Sequence, residues 1–329
     1  MLDRRAFIAL GVTAASGAFA AGCSSTDGEP SGSGADTVAV VEDTVEAADP
    51  EPAKTEPEWL GRARTAVQAL ADQAGEGVSV VCLPLARNAD DTAYEQQGGS
   101  IDIRGDVQRP SASIIKLAIL AAAFQSISNG AMALADQITV QSTDIVGGSG
   151  VMAWAGAGKT YSVDDVLKNM IAQSDNTAAN ILINKLGMDA VNACAQSLGL
   201  TSTVLARLMM DTDAAAQGRE NYTSAADAAR VLALAATGQL FGAELSAKAM
   251  EYLEAQADTR GIRAGVPAEV AVAHKTGELA YAWHDAAVVL CPQAPFVLGV
   301  LTQDMDTATA AEFAQNVAST VYGEASASA

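Results

Sequence analysis

At 329 residues, half of them apolar, the chain can build one large domain or two modest ones. A net charge of −20 argues against a nucleic-acid partner. Only two histidines are present, His274 and His284, with no carboxylate cluster beside them, so no metal and no other cofactor is expected.

The chain opens "MLDRRAFIALGVTAASGAFAAGC": two arginines, an apolar small-residue stretch, then Cys23. That is a secretory signal pattern, too short for a convincing spanning helix. "RRAF" resembles a twin-arginine export signal, and "AAGC" resembles a bacterial lipobox with alanine where leucine is commonest. The expectation is a signal over 1–23 and lipid attachment at Cys23, holding an exported protein to the outer face of the bacterial cell membrane. Residues 24–58 then carry ten acids against one base, Lys54, with four prolines and an "SGSG" run. We read 24–57 as a disordered, self-repelling acidic tether.

From residue 58 the pattern is that of a folded domain. "EWLGRARTAVQALADQAG" has apolar residues at helical spacing, and "GVSVVCLPLA" reads as a buried strand. A polar stretch with Gly98-Gly99 leads to the short strand "SIDIRG". Pro110 to Leu253 is mostly helical in pattern. "AEVAVAHKTG", "DAAVVLCP" and "FVLGVLTQ" give three more strands, "TATAAEFAQNVASTVYG" a last helix, and 325–329 a frayed tail. Strands at both ends with helices between predict an α+β domain over 58–324. Its antiparallel sheet is assembled from both ends of the domain, with helices on both faces and a helical subdomain. Cys82, Cys194 and Cys291 sit in apolar runs without C-x-x-C spacing and read as buried free thiols. A monomer is expected.

Chemistry concentrates in three short stretches. In "RPSASIIKLAIL", Lys116 is the one residue from Ile114 to Phe124 that is not apolar. A lysine on an apolar helix is costly unless it is paired or neutral. Three residues earlier stands Ser113, and residues i and i+3 of a helix share a face. Serine also favours helix N-caps, but a buried amine beside it can act as a base for its hydroxyl. "NMIAQSDNTAANIL" carries Ser174, Asp175 and Asn176 between two helical segments, where they can cap a helix or line a cleft. "VAHKTGELAYAW" ends a predicted strand with Lys275, Thr276 and Gly277, a cationic edge where glycine allows close backbone approach.

Each triplet alone is weak. The ordered set S-x-x-K, S-D-N, K-T-G resembles the class A β-lactamase-like serine hydrolases, over roughly Trp59 to Tyr322. The resemblance implies the following roles. Ser113 is acylated, Lys116 is its base or proton relay, and Ser174 passes the proton to the leaving nitrogen. Asn176 binds the substrate's side-chain amide. Lys275 and Thr276 hold its carboxylate, with Arg260 as the nearest additional arginine and Arg263 second. The backbone N–H groups of Ser113 and Glu278 form an oxyanion hole. The implied partner is a small β-lactam or a cell-wall D-alanyl amide or ester.

The chain departs from the family where the family's deacylating glutamate belongs. In "ARLMMDTDAAAQGRENYTS", Arg207 matches the loop's opening arginine, Met209 falls on the glutamate, and Asp213 on the water-holding asparagine. A thioether neither accepts a proton nor polarises water. Slow release of the acyl group is expected, unless Asp211 or Asp213 serves as the carboxylate of an efficient β-lactamase. A non-catalytic surface sensor is a third reading. Glu220 is expected at the surface. Gly148 falls where the family places an aromatic at the cleft entrance. His284 and Asp285 lack the partners of a triad.

Overall fold

A computed structural model describes residues 54–88 and 93–327. Cys23, the signal and the tether to residue 53 lie outside the described residues. The tether's expected last residues do not hang free. The Thr55 carbonyl accepts from Gly98 N at 3.2 Å, and Glu56 accepts from Arg64 Nη2 at 2.9 Å.

In chain order the elements begin with α1 (Glu58–Ala74), β1 (Val78–Arg87), β2 (Tyr94–Gln96), β3 (Ile101–Ile103) and β4 (Arg109–Pro110). A 3-10 turn, Ala112–Ile115, leads into α2 (Lys116–Ser128). Then come β5 (Gln137–Thr139), α3 (Met152–Ala155), β6 (Thr160–Ser162), α4 (Val163–Ala172), α5 (Asn176–Leu186) and α6 (Met188–Ser197). After these follow α7 (Thr212–Ala216), β7 (Tyr222–Thr223), α8 (Ala225–Ala236) and α9 (Ala243–Glu254). The chain ends with β8 (Val272–Leu279), β9 (Ala282–Val289), β10 (Phe296–Thr302) and α10 (Thr307–Ser326).

The main sheet runs β2-β1-β10-β9-β8, with β3 also on β1, and every pair is antiparallel. The expected sheet built from both ends is present: β1 pairs with β10, Val80 opposite Val300. Strand side chains alternate between faces, so β1 buries Val80 and Cys82 on one side and Val81 and Leu85 on the other. The first side packs against α1 and α10 through residues such as Trp59, Val67, Phe313 and Val317. The second packs against α8 and the helical subdomain, whose centre is α2. Helix α2 is buried continuously from Lys116 to Phe124, as its all-round apolar sequence requires.

Helix starts follow local capping chemistry. Ser162, Asp175, Asp211, Ser224 and Asp306 each accept from the backbone N–H three residues on. Three expectations need correction. The strand carrying Lys275 does not end at Gly277 but continues to Leu279, because Thr276 to Leu279 keep their partners on β9. The tail expected to fray from 325 is helical through Ser326, with Ala325 fully buried against the sheet-side core. The helical middle also contains two small ribbons, β5-β6 and β4-β7. Cys82, Cys194 and Cys291 are buried and free, as expected, and burial pushes the Cys194 thiol up to about 11.

Candidate active site

Three segments meet at the junction of sheet and helical subdomain. The turn Ala112–Ile115 sets Ser113 immediately ahead of α2, and Lys116 is the first residue of that helix. Lys116 is fully buried. Its Nζ lies within hydrogen-bond distance of four oxygens: Ser113 Oγ at 3.0 Å, Ser174 Oγ at 3.2 Å, the Ser174 carbonyl at 2.6 Å and Asn176 Oδ1 at 2.8 Å. Burial is the main cause that drives its pKa well below the ordinary lysine value. The neighbouring Lys275 charge adds to the depression and Asp175 opposes it.

The second segment, Ser174 to Asn176, joins α4 to α5. Ser174 holds a left-handed φ of 51°, uncommon for a residue with a side chain. Asp175 explains how that shape is kept. One carboxylate oxygen caps α5 through Ala178 N at 2.9 Å, and the other accepts from Val151 N at 2.6 Å and Met152 N at 2.8 Å. A buried carboxylate with three N–H donors is a strong fixing point. Asn176 is buried and donates to the Gly147 carbonyl at 3.1 Å while accepting from Lys116. At Gly148, φ +81°, a Cβ would lie 2.7 Å from the Asn176 amide nitrogen, so an aromatic side chain is excluded in this backbone shape.

The third segment is β8. Lys275 is fully buried and donates to Ser174 Oγ at 2.9 Å and to the Thr276 carbonyl at 2.8 Å. Burial lowers its pKa to about 7, against the pull of Asp285 and Asp258. Ser174 Oγ thus stands between two buried amines. Gly277 lies against the turn: a Cβ there would be 3.0 Å from Ser113 N. A side chain there would have to push the turn back by a few tenths of an ångström, so glycine suits the close approach.

These residues open on a cleft of about 290 Å³ that Ser113, Ser149, Ser174, Thr276, Gly277 and Glu278 help to line. A larger groove of about 640 Å³ beside α1 holds none of the motif residues. Arg260 also lines the cleft but is already engaged. It donates to both oxygens of Asp258, at 3.0 and 2.7 Å, and to Glu278 at 2.7 Å. Arg263 points elsewhere, donating to the Pro267 and Ala268 carbonyls.

The loop after α6 is pinned rather than loose. Asn180 grips Met209 by both backbone groups, at 2.8 and 3.2 Å, and Met209 is buried. Asp211 spends its carboxylate capping α7, and Asp213 is exposed; neither lines the cleft. Glu220, expected at the surface, is instead paired with Arg207 at 2.7 Å across the loop's neck, each side chain mostly buried. Buried Asn221 closes the same neck by accepting from Ala206 N and Arg207 N and donating to the Arg207 carbonyl. His284 and Asp285 are structural. His284 bonds the Pro110 carbonyl and Thr302 N, and burial takes its pKa down to about 4. Asp285 accepts from Ile262 N at 2.9 Å and pairs with His274 at 3.0 Å.

The sequence brings forward Ser113, Lys116, Ser174, Asn176, Lys275 and Thr276, and the structure gathers all six. It gives no warning of Asp258 or of the Glu278 side chain, because neither belongs to a motif. Asp175 as a helix cap is legible, but its grip on residues 151–152 is not.

The chain resembles known proteins over most of its length. Residues 62–325 match the model of a family described as the beta-lactamase enzyme family. A beta-lactamase of Streptomyces fradiae is 28% identical over 214 residues, 62% of this chain and 70% of that protein. Among solved structures, PBP-A superposes with a TM-score of 0.71 at 23% identity, covering 83% of this chain and 97% of its own. A mutant of PBP-A, solved as an acyl-enzyme complex with penicillin-G, gives 0.70 at 23% identity, covering 80% and 96%.

Proposed function

Given that this chain belongs to the beta-lactamase enzyme family and is a serine hydrolase acting on amide bonds, we propose that Ser113 is its acylated nucleophile and that the acyl group leaves slowly. Its substrates on this reading are β-lactams or related D-alanyl amides and esters. The observation that carries it is the 3.0 Å contact between Lys116 Nζ and Ser113 Oγ inside a buried two-lysine cluster. A neutral Lys116 takes the Ser113 proton as the oxygen attacks the carbonyl carbon. The oxyanion is held by the backbone N–H groups of Ser113 and Glu278, each worth about 3 kcal/mol. The C–N bond then breaks, and Ser174, in contact with both lysines, relays the proton to the departing nitrogen. Asn176 meets the substrate's side-chain amide, and Lys275 and Thr276 meet its carboxylate.

Release needs a positioned water and a base. Met209 stands where the family's glutamate is expected, Asp211 is engaged in capping α7, and Asp213 is exposed. Intact-mass measurement after brief penicillin exposure should give an adduct on Ser113 that persists for minutes and is absent in Ser113→Ala. Met209→Glu should shorten its lifetime by at least tenfold. No adduct removes the acylation reading; rapid loss in the wild type, slowed by Asp211→Asn or Asp213→Asn, selects the efficient aspartate-assisted enzyme instead.

The "AAGC" pattern supports attachment of the mature protein to the outer face of the bacterial cell membrane through Cys23. Cys23→Ala should release it from the membrane fraction and abolish palmitate labelling in its bacterial host; unchanged labelling counts against the anchor.

A further inference from the structure

Arg260 is the exposed cation at the carboxylate end of the cleft, yet its charge is claimed twice over. Its Nη2 donates at 2.7 Å to Asp258 and at 2.7 Å to Glu278, while Nε holds the other Asp258 oxygen. The guanidinium also sits 5.6 Å above the Trp283 ring, which limits where it can swing. The backbone agrees: Arg260 N donates to Asp258 as well. One guanidinium with two carboxylates leaves the rim with a formal charge of −1. Lys275, the buried cation below it, is held down to about 7 and supplies only part of a charge near neutral pH.

Resting on the acyl-enzyme reading above, we propose that the Asp258–Arg260–Glu278 cluster is a specificity device that withholds Arg260 from the substrate's carboxylate and leaves Lys275 and Thr276 to hold it. With Arg260 engaged, an uncharged ester at this position loses less against the carboxylate than it would beside a free arginine. Glu278 is well suited to the task. Its backbone N–H faces the reacting carbonyl on that reading, while its side chain occupies the arginine that a substrate carboxylate would seek. An incoming carboxylate must compete with Glu278 for Arg260 or bind Lys275 and Thr276 beside the Glu278 carboxylate, and like-charge juxtaposition at a binding face is unfavourable.

The test compares acylation rates of Ser113 by benzylpenicillin and by its uncharged methyl ester, in wild type and Glu278→Gln, across a series of salt concentrations. The substitution keeps the backbone N–H and the size of an exposed side chain. It should raise the ratio of anion to ester rates about five- to tenfold at low salt, the scale of one partly exposed charge contact. Added salt should raise the ratio in the wild type and change it less in the variant. Asp258→Asn should move the ratio in the same direction. Equal effects on both probes, or a fall in the ratio, overturn the proposal while leaving acyl-enzyme formation intact. If neither probe labels Ser113 in the wild type, the acyl-enzyme reading falls and takes the proposal with it.

Discussion

Ser174 Oγ accepts from Lys275 at 2.9 Å and from Lys116 at 3.2 Å, so two amines share one hydroxyl in a buried space. Both cannot be fully charged there without cost, and they titrate as a coupled pair. The pair also sets a sign for stability. Each lysine has a native pKa below its unfolded value, so the unfolded chain holds more protons between about 7 and 10.5. The stability these lysines contribute is therefore fully present above the unfolded lysine pKa and lost as pH falls toward 7. In Lys275→Met the slope of unfolding free energy against pH across that window should drop by up to about 1.4 kcal/mol per pH unit. Denaturant melts at pH 7, 8, 9 and 10 read this directly, and an unchanged slope would show that Lys275 is charged when folded.

At the scale of elements, β8 serves both faces of the sheet with alternate side chains. Lys275 points to the cleft, and its neighbour His274 is buried on the other face against Asp285. Burial raises the Asp285 pKa and His274 restrains it. His274→Ala strands a buried carboxylate and should cost ~3 kcal/mol. Urea titration should show the loss, with a smaller one in His274→Gln, whose amide can still donate; a loss below ~1 kcal/mol would mean that Asp285 simply takes up a proton. Elements also mark how far sequence reading reaches. Strands β1, β8, β9 and β10 are legible because each is a dense apolar run. Strands β4 and β7 are not, since two-residue pairings leave no periodicity. Lys116 stands out because an apolar helix makes it anomalous. The Arg207–Glu220 pair does not, because thirteen residues separate two charges that only the folded loop brings together. The Glu278 side chain is invisible for the same reason: its partner Arg260 is eighteen residues away, outside its strand.

For the whole molecule, the pairing of β1 with β10 makes the earliest strand of the domain wait for the last. Helices α1 and α10 likewise share one core. Such long-range closure is slow in folding, because loop entropy is spent before non-local contacts form. A growing chain that has not reached Thr302 has no complete sheet, and the β8-β9 pair that carries Lys275 has no β10 to join it to β1. A chain ending before Phe296 should therefore show no protected core in limited proteolysis and bind no penicillin, although every motif residue is already present. Resistance to protease in that fragment would place the folding unit elsewhere. Ser113 lies in the first half of the sequence, yet on this expectation the amine cluster around it assembles only when synthesis is nearly finished. On the acyl-enzyme reading, Ser113 should therefore become reactive only once β10 is in place, so completion of that strand would set when activity begins.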